Sequence, residues 1–127
     1  MKFIFVMQHN PTPEQLAAAS EGGREVVQLA DKKLLAVPDD ATLGRDWFSS
    51  RAEAIVATVS GIVEGDILHV MGQAQLAAAV QALARKAGAK LVESVTPRTS
   101  KDVQQPDGTV KKESVFSFSG FREVHRY

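Results

Sequence analysis

The run Lys2-Phe3-Ile4-Phe5-Val6-Met7 is apolar after its lysine and breaks off in Gln8-His9-Asn10-Pro11. Thr12-Pro13-Glu14-Gln15 follows at once. Thr12 fits an N-cap, Pro13 the first helical position, and Gln15 completes a Thr-x-x-Gln capping box. The pattern predicts a buried strand that turns sharply into a helix. Gly22-Gly23 ends that helix, and Arg24 to Leu29 reads as a second short strand. Leu34, Leu35 and Val37 form a short apolar segment stopped by Pro38-Asp39-Asp40. Phe48, Ala52, Ile55, Val56, Val59 and Val63 fall on one helical face and predict a helix over about 46–63. Asp66 to Met71 is a third strand, and Gly72-Gln73 leads into a helix over about 74–86 with Leu76, Val80, Leu83, Ala84 and Ala87 on one stripe. Gly88 stops it, and Lys90 to Val95 is a fourth strand, ending in Thr96-Pro97-Arg98-Thr99-Ser100.

Strands alternating with helices predict an α/β domain with a mainly parallel sheet and helices on both faces. Right-handed crossovers favour the strand order 2-1-3-4. The pattern changes after Ser100: Lys101 to Gln105, the turn Pro106-Asp107-Gly108 and a strand-like run to Phe118 read as a C-terminal antiparallel hairpin. No repeat or linker interrupts the chain, so residues 1–127 are expected to form a single domain.

Composition narrows the chemistry. With 44% hydrophobic and 24% charged residues the chain is of ordinary globular make-up. It has no cysteine, which removes disulfides, thiolate metal sites and cysteine nucleophiles, and fits a reducing cytoplasm. No apolar run approaches the roughly 18 residues of a membrane span, and the N-terminus has no signal-peptide pattern. Net charge is zero, but from Arg85 onward nine basic residues face five acidic ones, so the last third carries +4 and the rest −4. Stable DNA binding is not expected from so weak a bias, whereas a local phosphate site is compatible with it.

Strands one and three are expected to lie side by side, and their carboxyl ends form the switch point where α/β sheets take ligands. Three polar segments converge there: Gln8 to Thr12, Gly72-Gln73, and Thr96 to Lys101. Gly72 allows a ligand close to its backbone. Arg98 and Lys101 can neutralise phosphate. The plain alternative is that all three are ordinary turns. His9 can act as general acid or base, or merely bond the backbone at the helix entry. His69 reads as a core or interface residue and His125 as solvated. The histidines lack metal-ligand spacing, so no metal or other cofactor is expected. Arg122, next to Phe121, either reaches a phosphate or is solvated. Trp47 and Phe48 read as core.

The chain resembles the small stand-alone CRISPR-associated proteins related to CARF domains, several of which are ring nucleases. Three pieces carry the resemblance: His9-Asn10-Pro11-Thr12-Pro13-Glu14-Gln15; Glu64-Gly65-Asp66-Ile67-Leu68-His69-Val70-Met71-Gly72 before an alanine-rich helix; and Asp107-Gly108-Thr109-Val110-Lys111-Lys112 with Ser114-Val115-Phe116 and Phe121 to Tyr127. Residues 30 to 50 carry none of it. Gln8 stands where family members have serine before the histidine. The resemblance implies a Rossmann-like, CARF-like homodimer that binds a cyclic oligoadenylate, most readily cyclic tetra-adenylate, and cleaves it without metal, switching off type III CRISPR signalling. In such an enzyme each ribose 2′-hydroxyl attacks its own 3′-phosphate once the two are held in line. His9, Arg98 and Lys101 would then be catalytic, with Gln8, Asn10, Thr12, Gly72, Gln73, Thr96, Ser100 and Arg122 binding the ligand and helix N–H groups behind Thr12 cradling phosphate. A module that sequesters the ring without cutting it, and an unrelated α/β interaction protein, are the alternatives.

Overall fold

In the computed structural model, which describes residues 1–127, the N-terminal run forms strand β1 (Lys2–Val6) at the heart of a five-stranded sheet. Parallel neighbours β2 (Glu25–Gln28) and β3 (Ile67–Val70) flank it, β4 (Lys90–Val95) pairs parallel with β3, and β7 (Gly120–Glu123) closes the far edge antiparallel to β4. The order β2-β1-β3-β4-β7 contains the expected 2-1-3-4 arrangement, with β7 as an addition. β1 reads as a continuous apolar run because both its faces are covered.

Alternation along β1 divides the core into two layers. Ile4 and Val6 face helices α2 (Arg45–Thr58) and α3 (Ala74–Lys86), packing with Ile55, Val59, Leu68, Leu76, Val80 and Leu91. Phe3, Phe5 and Met7 face the short helix α1 (Pro13–Ala19), where Ala19, Leu16, Ile67, Val92 and Phe121 complete a smaller cluster. Helices therefore lie on both faces, two on one side and one on the other.

Helix α3 has the expected bounds. Helix α2 ends five residues before the expected Val63, because Ser60 and Gly61 both adopt left-handed backbone at φ 65° and 73°, which stops helical hydrogen bonding. Val63 is exposed in consequence. Gly88 is needed after α3: at φ +89° an added Cβ would lie 3.0 Å from Glu64 Cγ. The stretch from Leu29 to Gly44 holds a 3-10 turn at Lys32–Leu35, whose Leu34 and Leu35, with Val37 and Leu43, pack on the larger core. Arg51 fixes it, donating to the carbonyls of Leu34 and Ala36 at 3.0 Å each while its guanidinium lies 4.6 Å from the Trp47 ring centroid. Phe48 is a core residue as expected, Trp47 is half-buried against that core, and His125 is exposed.

The hairpin forms as strands β5 (Arg98–Gln104) and β6 (Val110–Phe116), joined through Asp107-Gly108. It makes its own two-stranded sheet, and nearly every residue along both strands is exposed. It is an arm that projects from the domain. No helix of the chain is long and apolar enough to cross a membrane.

Candidate functional site

The carboxyl ends of β1 and β3 lie side by side, with Val6 opposite Val70 and the Met71 N–H donating to the Val6 carbonyl at 2.9 Å. Beyond β1, Gln8, His9 and Asn10 are exposed, and the buried Pro11 turns the chain into α1. The capping box forms as the sequence predicts. Thr12 Oγ1 accepts from the Gln15 N–H at 3.2 Å, and Gln15 Oε1 accepts from the Thr12 N–H at 2.9 Å. Helix α1 has only seven residues and its Gln15 N–H is already satisfied, so the phosphate cradle expected behind Thr12 is much reduced. Loss of the cap in Thr12→Ala is expected to cost about 1 kcal/mol of unfolding free energy in a denaturant titration.

After β3, Gly72 is open, with no atom within 4 Å of where a Cβ would stand. Gln73 is the N-cap of α3: its Oε1 accepts from the Leu76 N–H at 3.0 Å, which leaves only its amide N–H2 for a ligand.

The third segment differs from expectation. Only Thr96 and Pro97 are connection; Arg98, Ser100 and Lys101 belong to β5 and so to the arm. Arg98 and Ser100 share one face of the ribbon, opposite Phe116 and Ser114, and Lys101 is on the other, opposite Glu113. Arg98 donates twice to Ser114 Oγ, at 2.9 and 2.6 Å, and its guanidinium lies 5.9 Å from the Phe116 ring centroid. Lys101 and Ser100 are carried up the arm, away from the sheet edge. Arg122 is exposed and lies away from the cavity. It pairs with Glu93 at 2.8 Å on the opposite face of the sheet from Ser94 and Phe121.

A cavity of about 460 Å³ lies where α1, the end of β4 and the base of the arm meet, lined by Thr12, Glu14, Gln15, Thr96, Phe116, Ser117 and Phe118. Of the residues expected at the site it holds Thr12 and Thr96 in its wall, with Arg98 near the wall residue Phe116 but outside the lining. Gln8, His9, Asn10, Gly72 and Gln73 lie on the same sheet edge but not in its lining. A larger hollow, about 620 Å³, runs between α2 and α3, with alanines, Phe48 and Leu83 in its walls beside Arg45, Ser49, Glu53 and Gln75. Both hollows hold hydroxyl, amide, carboxylate and aromatic groups; the smaller is the better site because it sits at the carboxyl edge of the sheet, where α/β folds take ligands.

Beneath this cavity is a polar chain that sequence reasoning missed. Gln15 Nε2 donates to Ser94 Oγ at 3.0 Å, and Ser94 Oγ lies 2.7 Å from Nε2 of the buried His69. The imidazole packs against Phe5 and Phe121, its Nδ1 has no partner, and burial pushes its pKa below the ordinary value. The signal was present: strand alternation puts Ile67, His69, Val92 and Ser94 on one face, so His69 and Ser94 were due to meet among apolar neighbours. The second buried polar group, Asp66, accepts from the N–H groups of Lys2 at 2.8 Å and Val63 at 2.9 Å and pairs with Lys2 Nζ at 3.0 Å. It ties the start of β1 to the entry of β3.

Compared with known proteins, residues 1–122 match the model of a family described as Uncharacterized protein MJ1673 family. No curated protein and no solved structure matches the chain significantly.

Proposed function

The chain belongs to the MJ1673 family, and we propose that it is a cytoplasmic ring nuclease with a Rossmann-like, CARF-like domain, which binds a cyclic oligoadenylate at the cavity beside α1 and cleaves it. The observation that carries this reading is the pair of aromatic side chains in that cavity, with the Arg98 guanidinium outside its wall near one of them. Phe116 and Phe118 line it, and the Arg98 guanidinium lies 5.9 Å from the Phe116 ring centroid. Aromatic faces hold a base by stacking, at roughly 1–3 kcal/mol per base. The Arg98 guanidinium is then placed for the phosphate attached to that nucleotide. Glu14 in the wall suits the hydrogen-bond donors of a ribose or an adenine amino group, and repels phosphate toward Arg98.

The reaction needs no metal. The 2′-oxygen attacks the adjacent 3′-phosphorus, the bond from phosphorus to the 5′-oxygen breaks, and the products are a 2′,3′-cyclic phosphate and a 5′-hydroxyl. One proton leaves the 2′-hydroxyl and one reaches the 5′-oxygen. Binding that holds the attacking and leaving oxygens in line supplies much of the acceleration. Arg98 offsets charge on the phosphate, and His9, on the loop that leads into α1, moves the proton.

Chromatography of cyclic tri-, tetra- and hexa-adenylate incubated with the protein tests this. Arg98→Ala is expected to lose about 1.5–3 kcal/mol of ligand or transition-state binding, roughly ten- to over a hundred-fold in kcat/KM. His9→Ala is expected to lower turnover about a hundred-fold while binding persists; a small loss would leave alignment as the sole driver. Sequestration without cleavage is the second reading, favoured by a cavity wall that contains neither histidine nor a cation. Ligand bound yet intact after long exposure would establish it.

The proposal includes a homodimer. A ring with an even number of adenylates has a two-fold axis that a symmetric dimer matches. Isolated two-stranded ribbons are marginally stable in water, and the arm exposes Val115 and Phe116, so a second copy packed on it is the expected source of support. Light scattering at micromolar concentration should give twice the chain mass; a monomer with and without ligand would remove the dimer.

A further inference from the structure

The hydrogen bonds below the cavity account for all but one of the groups on Gln15. Its Oε1 accepts from the Thr12 N–H at 2.9 Å. One Nε2 hydrogen is given to Ser94 Oγ at 3.0 Å. The second Nε2 hydrogen has no acceptor in the protein, and the side chain is part of the cavity wall. A Gln amide offers two donors and one acceptor. Here the acceptor is committed to the cap, so the amide is held in one orientation and cannot flip without breaking it.

Ser94 is itself held from behind. His69 is 1% exposed and approaches Ser94 Oγ at 2.7 Å through Nε2, while its Nδ1 has no partner. Ser94 Oγ either donates to an unprotonated Nε2 or accepts from a protonated one. In both arrangements it accepts from Gln15 Nε2 at 3.0 Å and is tied to the imidazole behind it, which fixes the amide from its far end. Phe5 and Phe121, with ring centroids 5.5 and 5.7 Å from the imidazole, leave it little room to turn.

We infer that Gln15 is a specificity residue of the cavity, presenting one fixed N–H donor to an acceptor atom of the bound nucleotide base, and that His69 and Ser94 are the positioning residues that hold it there. The inference rests on the cyclic-oligoadenylate reading and adds to it a recognition contact. A purine ring nitrogen meets a fixed donor well. A ligand presenting an N–H at that place would set donor against donor, and a site with a committed polar group rejects such a mismatch more strongly than an apolar wall does.

Calorimetric titration of the intact chain with cyclic tetra-adenylate, beside thermal unfolding, tests it. In Gln15→Glu the side chain still accepts from the Thr12 N–H and keeps the cap, but the donor is gone. Affinity is expected to fall about ten-fold or more, with a melting temperature near that of the parent chain. Ser94→Ala should weaken binding several-fold, and Ser94→Thr, which restores a hydroxyl to the same place, should recover most of the loss. Repulsion of the phosphates by the new carboxylate would also weaken Gln15→Glu, but neither it nor a purely structural role would give a loss in Ser94→Ala and its recovery in Ser94→Thr at unchanged melting temperature, where no charge changes. Parent-like affinity in Gln15→Glu would overturn this inference alone. Failure of the parent chain to bind cyclic tri-, tetra- or hexa-adenylate would overturn the functional reading and this inference with it.

Discussion

Asp66→Asn is expected to lower the unfolding free energy by about 3 kcal/mol, and the melting temperature by on the order of 10 °C. The Asp66 side chain has no exposure at all, and Lys2, its partner, is 16% exposed. An asparagine can accept one of the two backbone N–H groups that Asp66 now satisfies, but its amide then turns donors toward the other. The ammonium of Lys2 can swing into water, which keeps the loss at the lower end of what breaking a buried pair costs, roughly 3–5 kcal/mol. The effect depends on pH. Burial alone would raise the pKa of Asp66, but the N–H groups of Val63 and Lys2 and the Lys2 charge outweigh it, and the pKa is lowered. The carboxylate therefore stabilises the fold above its unfolded pKa of about 3.9 and ceases to as pH falls through the lower folded value. Stability curves of the parent and Asp66→Asn should converge in strong acid. His69 acts in a higher window in both proteins. Its lowered pKa means that the unfolded chain takes up the proton first, so stability falls as pH drops below about 6.5.

Phe5→Ala is expected to cost about 4 kcal/mol, near the middle of the range for deleting a buried aromatic ring. Phe5 is fully buried under α1, with ring centroids 4.9 Å from Phe3, 5.5 Å from His69 and 6.2 Å from Phe121. This face of the sheet has only four fully buried apolar residues, against twelve on the other. A short helix offers few side chains to collapse into the hole, and the His69 imidazole would lose one of its two aromatic walls. Denaturant unfolding measures the loss. A cost under about 1 kcal/mol would mean that the face repacks freely, contrary to the rigid support assigned to Ser94 and Gln15.

The parallel half of the fold was legible because each element carried its own period and its own stop. The run at Phe3 to Met7, the stripe at Leu76, Val80 and Ala84, and the glycines before β2 and after α3 all pointed the same way. Strand order followed from crossover handedness. The end of α2 was misplaced because Val63 continues the apolar period, while the backbone at Ser60-Gly61 had already broken it. Strand β7 escaped notice because Gly120 to Glu123 is short and its pairing with β4 is long-range, which no local pattern encodes.

Of the site, the capping box was fully legible, since it lies within four residues. The sequence pattern starts the hairpin at Lys101, whereas β5 begins at Arg98, three residues earlier, and strand alternation puts Arg98 and Lys101 on opposite faces of the arm. Arg122 was undecided between phosphate and solvent, and its actual partner, Glu93, lies 29 positions away on another strand. Gln15, Ser94 and His69 come from three elements and meet only after folding.

The central claim is attack of a ribose 2′-hydroxyl on its own phosphate, and the identity of the first product tests it most directly. The protein is incubated with cyclic tetra-adenylate in heavy-oxygen water containing a chelator, and the first product is weighed by mass spectrometry. The expected product is a linear tetra-adenylate of the same mass as the ring, ending in a 2′,3′-cyclic phosphate and carrying no heavy oxygen. A ring left intact, or a first product heavier by one labelled water, would contradict it.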